Sequence, residues 1–349
     1  MTTTKVLSVS SPTSAFAKTT IETREVGDFD VRIAIAFSGI CHSDLHQARN
    51  EWFEGIFPMV PGHEISGVVI EAGSKVTKHN VGDRVGVGTM VGSCGECEYC
   101  RAGRENVCLK GNIQTYNGRF YDGTETYGGY ASEIVVTEDF VLSIPEALDM
   151  AEAAPLLCAG IAVFSPLKRW GVAPGKRVAI IGLGGLGHMA VKFAAALGAD
   201  VSVIGRSPKK IEDAKAFGAS AYIDSSAPDF FESYANTFDI VLNTTSSNLN
   251  VDQILSMLRV GGSLVNVGLP GSDEHFNPFS LIASMKSISG SNTGGIKETQ
   301  EMLNFCAEHK IAATIEVVDA SDAASIDAAY DRMLKSDVRY RFVIDAATI

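Results

Sequence analysis

The sequence predicts an α/β protein in two parts, a β-rich, barrel-like domain and a doubly wound sheet of six parallel strands. Three observations lead there. Up to about residue 150, short β-branched or alternating runs (31–37, 67–71, 84–88, 131–136) are separated by Gly, Pro and Asp, the texture of a mostly β domain. After Pro155, strand-like runs alternate with helical ones in a βαβ rhythm. At 349 residues, the chain also exceeds the size at which one core keeps growing.

The strands expected in the second part are 177–181, 201–204, 221–223, 239–243, 263–267 and 287–290, with helices at 185–197, 209–217 and 251–258 between them. The tail from about residue 296 adds a helix (297–309), a strand (314–318), a helix (326–334) and a last strand (341–344). Periodicity does not say which domain the tail joins.

Composition narrows the class. With 46% hydrophobic and 20% charged residues and no repeat, the chain reads as globular. Its Thr- and Ser-rich start lacks the basic and apolar regions of a secretory signal, and the most apolar stretch, 178–197, is broken by glycines, His188 and Lys192. A cytoplasmic protein without membrane attachment is expected. A net charge of −12 argues against nucleic-acid binding, though a local basic pocket stays open. Seven cysteines, four of them inside fifteen residues, fit metal ligation better than a disulfide framework. Cys306, in a segment of helical period, reads as a small core residue.

Directly after the 177–181 strand stands Gly182-Leu183-Gly184-Gly185-Leu186-Gly187, opening a helix. Glycines at these positions permit a tight turn and close backbone approach to a pyrophosphate, and the helix N-terminus supplies N–H donors. Alone the motif is only a tight turn; between a strand and a helix in a βαβ series it points to a dinucleotide. An NAD site places an acid at the end of the second strand, but here that strand ends Gly205-Arg206-Ser207. Arg206, Ser207 and Lys210 offer donors and positive charge to a 2′-phosphate, which favours NADP(H) over NAD(H). The plainer reading of the same residues is a solvated turn with Ser207 as a helix cap.

Cys94, Cys97, Cys100 and Cys108 follow C-x2-C-x2-C-x7-C in a Gly- and charge-rich loop. Four thiolates so spaced fill a tetrahedron, the mark of a structural zinc, although an iron–sulfur cluster uses related spacings. Cys41, His63 and Cys158 are scattered, and each singly reads as a buried thiol or a core histidine. Together they are a Cys2His set that leaves a fourth position open for water or substrate.

Gly62-His63-Glu64-Ile65-Ser66-Gly67, with Gly73 and Val76 at the expected distances, matches the signature G-H-E-x2-G-x5-[GA]-x2-[IVSAC]. With the four-cysteine lobe, the segments 39–46, 156–160 and 182–188, and the closing Tyr340-Arg341-Phe342-Val343, it makes the chain resemble the zinc-containing medium-chain alcohol dehydrogenases. It looks closest to their cinnamyl alcohol dehydrogenase branch, and the similarity spans nearly the whole chain.

The resemblance implies a GroES-like catalytic domain (1–156 and 296–349, with a zinc lobe at about 91–111), a Rossmann NADP-binding domain (157–295), an active site between them and a homodimer. It implies that Ser43 bonds the zinc-bound oxygen, that His46 ends a proton relay through the cofactor ribose, and that Asp44 orients His63. Glu64 would stand beside the metal as a possible exchangeable ligand, Arg341 would meet the pyrophosphate, and Gln47 and Trp52 would line the substrate pocket. Ser43 also reads as the cap of a helix starting there, and His46 as an exposed residue on it. Two departures stand out: Gly205-Arg206 where many relatives have Ser or Thr, and Ala162 where relatives often carry Thr. The implied activity is hydride transfer between NADP(H) and a primary alcohol or aldehyde, aromatic or medium-chain aliphatic. The alternatives are an NAD-dependent polyol or sugar dehydrogenase of the same superfamily and a non-catalytic zinc-binding protein.

Overall fold

In the computed structural model, which describes residues 2–349, the longest strand of the first half is Asp30–Ile40. Val31, Ile33 and Ile35 are all buried, and the strand continues to a buried Ile40. Along one edge, Val31–Ser38 pairs antiparallel with Ile65–Ala72. Along the other, its first half pairs with Glu133–Thr137 and its last residues with Arg341–Asp345, both antiparallel. Arg84–Val87, Leu142–Ser143 and Ile315–Asp319 extend the sheet to seven strands, and Thr2–Ser8 with Ala17–Thr23 forms a separate antiparallel pair.

Strand register explains where the chemistry falls. Cys41 follows the end of Asp30–Ile40, His63 and Glu64 precede Ile65–Ala72, and Arg341 opens Arg341–Asp345. Because Ile65 pairs with Ser38 and Phe342 with Ile40, these three strand ends meet. Cys158 arrives on the 3-10 turn Ala154–Leu157, whose residues are all buried.

This first unit comprises the residues up to Ile161 together with Gly294–Ile349. The tail contributes the helix Ile296–His309, the strand Ile315–Asp319, the helix Ala324–Leu334 and the strand Arg341–Asp345. Val31, Ile33, Ile65, Val85, Tyr130, Ile326, Phe342 and Ile344 belong to one buried cluster. Cys306 is fully buried, its Sγ 3.6 Å from Met302 Sδ.

The second unit, Ala162–Thr293, holds six parallel strands in the spatial order Ala221–Asp224, Asp200–Gly205, Arg177–Ile181, Phe238–Asn243, Leu258–Asn266 and Ser287–Gly290. This is the doubly wound order 3-2-1-4-5-6 of a dinucleotide fold. The helix expected at 209–217 starts differently: a 3-10 turn, Pro208–Lys210, precedes the helix Ile211–Ala216, because Lys210 is not helical at φ −100° and ψ 2°. Among the described residues no single helix is long and apolar enough to cross a membrane.

Phe342 is 1% exposed in the strand that joins the tail to the central sheet. Phe342→Ala should lower the unfolding free energy of the first unit by about 3–5 kcal/mol, read from the urea midpoint by near-ultraviolet circular dichroism.

Candidate active site

Cys41 is the N-cap of the helix His42–Ala48, and Asp44 reaches back from the third helical position to accept from the Cys41 N–H at 2.8 Å. The cap is therefore Cys41 rather than Ser43. Ser43 lies one residue inside the helix, its Oγ 3.5 Å from Cys41 Sγ. Further along the same helix, His46 Nδ1 is engaged by the Glu51 carboxylate while its ring stacks on Trp52 at 4.6 Å. Gln47 accepts a hydrogen bond from Asn117 Nδ2 at 2.9 Å. Trp52 is thus committed to His46 and Gln47 to Asn117. Neither Glu51 nor Asn117 stood out in the sequence, because nothing in their spacing marks them.

Cys41, His63, Glu64 and Cys158, all buried, bring their ligand atoms within 4.8 Å of one another. A tetrahedral zinc with Zn–S bonds of about 2.3 Å sets sulfur ligands about 3.8 Å apart. Cys41 Sγ and Cys158 Sγ stand 3.9 Å apart, and His63 Nε2 is 3.2 Å from Cys158 Sγ. His63 Nδ1 points the other way, 3.0 Å from Asp44 Oδ1, so the carboxylate fixes the tautomer that leaves Nε2 free to ligate.

The electrostatics tell the same story. The Cys158 hydrogen bond holds the Cys41 thiol well below its ordinary value against the effect of burial, whereas Cys158 is pushed well above. Two buried thiols this close cannot both ionise without a cation between them. Burial opposes a charged His63, but Asp44 and Cys41 together outweigh it and raise the imidazole well above its usual value, so a metal at Nε2 would displace a proton there.

Glu64 is fully buried and ion-paired through Oε1 with Arg341, which is 5% exposed. Burial, working against the pull of Arg341, raises the Glu64 carboxyl to about 7. Its other oxygen, Oε2, has no hydrogen-bond partner. One carboxylate oxygen of Glu64 lies with the three other ligand atoms, and a cation among them would compensate the two thiols, so the residues fit zinc.

The second cluster is Cys94, Cys97, Cys100 and Cys108. Cys94 and Cys97 Sγ lie 3.8 and 3.4 Å from Cys100 Sγ, and backbone N–H groups of Cys94, Cys97 and Cys100 point at cluster sulfurs at 3.4–3.5 Å. Such donors favour thiolates, and the four-sulfur set also fits zinc. Glu105, between the third and fourth cysteines, accepts from the Ile296 N–H at 3.0 Å and ties the lobe to the tail helix.

In the second unit two glycines of the motif, Gly182 and Gly187, have a visible steric cause. Gly182 has φ +91°, and a Cβ there would sit 2.5 Å from Thr245 Cγ2; a Cβ on Gly187 would sit 2.1 Å from Gly182 O. A Cβ on Gly184 meets nothing within 4 Å, so the backbone there is open to a pyrophosphate ahead of the helix Gly187–Ala196. Leu183, Gly185 and Leu186 complete this loop, and Lys210 Nζ donates to Leu183 O at 2.7 Å.

Arg206 is exposed at the end of the second strand. Ser207 stands at the N-cap position of the turn Pro208–Lys210 but its side chain makes no cap bond, and its backbone N–H and C=O are both held by the Tyr222 hydroxyl, at 3.2 and 2.8 Å. Tyr222 also explains Gly205, where a Cβ would lie 2.4 Å from that hydroxyl.

Comparison with known proteins agrees with this geometry. Residues 27–146 match the alcohol dehydrogenase GroES-like domain and residues 185–308 the zinc-binding dehydrogenase family. The chain is 58% identical to the probable formaldehyde dehydrogenase AdhA of Bacillus subtilis, over 99% of its own length and 98% of that protein. It is 52% identical to NADP-dependent alcohol dehydrogenase C 1 of Mycolicibacterium smegmatis, over 100% of its length and 99% of that protein. A cinnamyl alcohol dehydrogenase structure from Sorghum bicolor superposes with a TM-score of 0.94 at 40% identity, covering 99% of this chain and 98% of that one. The chain belongs to the zinc-containing alcohol dehydrogenase family. It is an oxidoreductase of that family.

Removing Arg341 leaves Glu64 buried without a counter-charge. Arg341→Met should therefore destabilise the first unit by about 3–5 kcal/mol, measured by chemical denaturation, while Arg341→Met with Glu64→Gln should recover part of the loss.

Proposed function

We propose that this chain interconverts aldehydes and primary alcohols with NADP(H), on aromatic or medium-chain aliphatic substrates of the cinnamyl alcohol kind. The observation that carries the reading is the buried meeting of Cys41, His63, Glu64 and Cys158, whose ligand atoms all lie within 4.8 Å of one another. In this reading Cys41, His63 and Cys158 hold a catalytic zinc, with Glu64 as an exchangeable ligand, and Cys94, Cys97, Cys100 and Cys108 hold a structural one. When bound, zinc polarises the substrate carbonyl and the nicotinamide carries the hydride.

The chain's own groups manage the proton and the geometry. Ser43 Oγ would hold the proton of the reacting oxygen, and His46 would exchange that proton with solvent. Engagement of His46 Nδ1 by Glu51 leaves Nε2 as the atom that takes the proton, and stacking on Trp52 keeps the ring in place. Asp44 keeps His63 oriented as a ligand. Gln47 and Trp52 border the substrate pocket, and Arg341 joins the cofactor side through the pyrophosphate. The loop from Gly182 to Gly187 cradles that pyrophosphate.

Arg206, Ser207 and Lys210 favour NADP(H), since no acid stands at the end of the second strand to take a ribose hydroxyl. The Mycolicibacterium relative, named for NADP dependence, supports the same choice. A homodimer, which the resemblance to the family implies, and a cytoplasmic location, expected from composition, complete the proposal.

Initial rates at 340 nm across benzaldehyde, cinnamaldehyde, formaldehyde, aliphatic aldehydes and polyols, with both cofactors, test the class. NADPH oxidation with aromatic aldehydes is expected; NAD-dependent oxidation of polyols alone would contradict it. Cys158→Ser should abolish turnover and halve the zinc content with an unchanged far-ultraviolet spectrum, and near-normal turnover would refute the ligand assignment. Arg206→Asp should raise the KM for NADPH by about ten- to a hundredfold, at about 1.4 kcal/mol per tenfold. An unaltered preference for NADPH over NADH in that variant would refute the 2′-phosphate assignment.

A further inference from the structure

We infer that Tyr130 and Tyr330 are positioning residues for the catalytic metal site and act on it through Asp44. The inference rests on the reading of Cys41, His63 and Cys158 as zinc ligands.

An ionised carboxylate offers about four acceptor positions and no donor. At Asp44, which is 0% exposed, four donors fill them: the N–H of Cys41 at 2.8 Å and of Gly62 at 3.2 Å, His63 Nδ1 at 3.0 Å, and the Tyr130 hydroxyl at 3.2 Å. Two of these donors sit on proposed ligands, and a third on the residue before His63. Asp44 therefore couples the backbone of one ligand to the ring of another. Tyr130 supplies the one remaining donor, and it is the only one of the four that no metal-ligand segment contributes.

The direction of the bonds is forced. Tyr130 has one hydroxyl proton, and the carboxylate can only accept, so that proton goes to Asp44. The Tyr330 hydroxyl, 3.3 Å from that of Tyr130, must then donate to it. Tyr330 stands on the tail helix Ala324–Leu334, so a relay of two hydroxyls links that helix to the ligands. Both phenols are buried, at 0% and 2% exposure, and Phe16 packs on both rings, tilted at 6.0 Å and edge-on at 5.3 Å. The Tyr130 ring also leans on Gly62, where a Cβ would lie 2.7 Å from Tyr130 Cδ1. Ring packing and hydroxyl are thus separable, because Phe keeps the first and loses the second.

The test is zinc release from the purified enzyme to a chromogenic chelator, with wild type, Tyr130→Phe, Tyr330→Phe and the double variant. Wild type should hold two zinc ions per chain and release them in two phases, one of which Cys158→Ser removes. Tyr130→Phe should accelerate that phase by about 10- to 100-fold and leave the four-cysteine phase unchanged. Tyr330→Phe should accelerate the same phase by less, and the double variant should match Tyr130→Phe, since one hydroxyl acts through the other. Cobalt substitution should show a shifted visible band in Tyr130→Phe.

Wild-type release from a folded Tyr130→Phe, or equal acceleration of both phases, would overturn the proposal. If Tyr130→Phe does not fold, selective acceleration in Tyr330→Phe decides for it and unaltered release decides against it. A wild-type chain with one zinc would overturn the metal reading and this inference with it, whereas two zincs with unaltered release would overturn the inference alone.

Discussion

The Asp44 carboxylate is fully buried, and an isolated charge there would cost several kcal/mol in lost hydration. It is tolerated because four donors converge on it, each charge-assisted bond contributing about 1.5–3 kcal/mol. Those donors come from the helix start at Cys41, the turn at Gly62-His63, and Tyr130, so their positions cannot be set independently. The central strand ends where Cys41 can cap its helix, and the neighbouring strand begins where His63 can reach Asp44. The placement of Cys41 and His63 relative to each other is tied to satisfying this one carboxylate.

Glu64 shows the opposite arrangement at a distance of one residue. One of its oxygens is satisfied by Arg341 and the other by nothing, although both residues are buried. Structural carboxylates of this depth are normally completed by donors, as Asp44 is. An unfinished acceptor on a residue held by Arg341 from the last strand and clustered with two thiols and an imidazole is what a metal site leaves when its ion is not counted. Gly39 is part of the same arrangement, since a Cβ there would fall 2.0 Å from Glu64 Oε2.

The dinucleotide loop follows a similar economy. Its N–H groups serve a pyrophosphate only if its carbonyls are turned away and held, and Lys210 holds that of Leu183 while His188 Nδ1 approaches that of Gly184 at 3.2 Å. Lys210 therefore connects the adenosine end of the second strand with the loop after the first. Tyr222, from the third strand, shapes the intervening turn by occupying the space a side chain at Gly205 would need.

Local order decided what could be read early. The six parallel strands, the glycine loop and the four-cysteine lobe each arise from neighbours within one βα unit or one loop, so spacing and periodicity displayed them. Cys41 and Cys158, by contrast, are 117 residues apart, so residue type made their grouping plausible and the family resemblance strengthened it, while Arg341 and Glu64, 277 apart, were paired by neither. Capping was no easier to read: Ser43 and Ser207 were reasonable caps by type, but the first helix starts one residue earlier, after Cys41, and the Ser207 side chain makes no cap bond. Glu51, Tyr130 and Tyr330 carry no local mark at all. The sequence by itself determined the fold class and the kinds of ligand available. Strand register in three dimensions decided which carboxylate faces which imidazole, because register is set by backbone pairing between distant segments, and no short-range pattern encodes it.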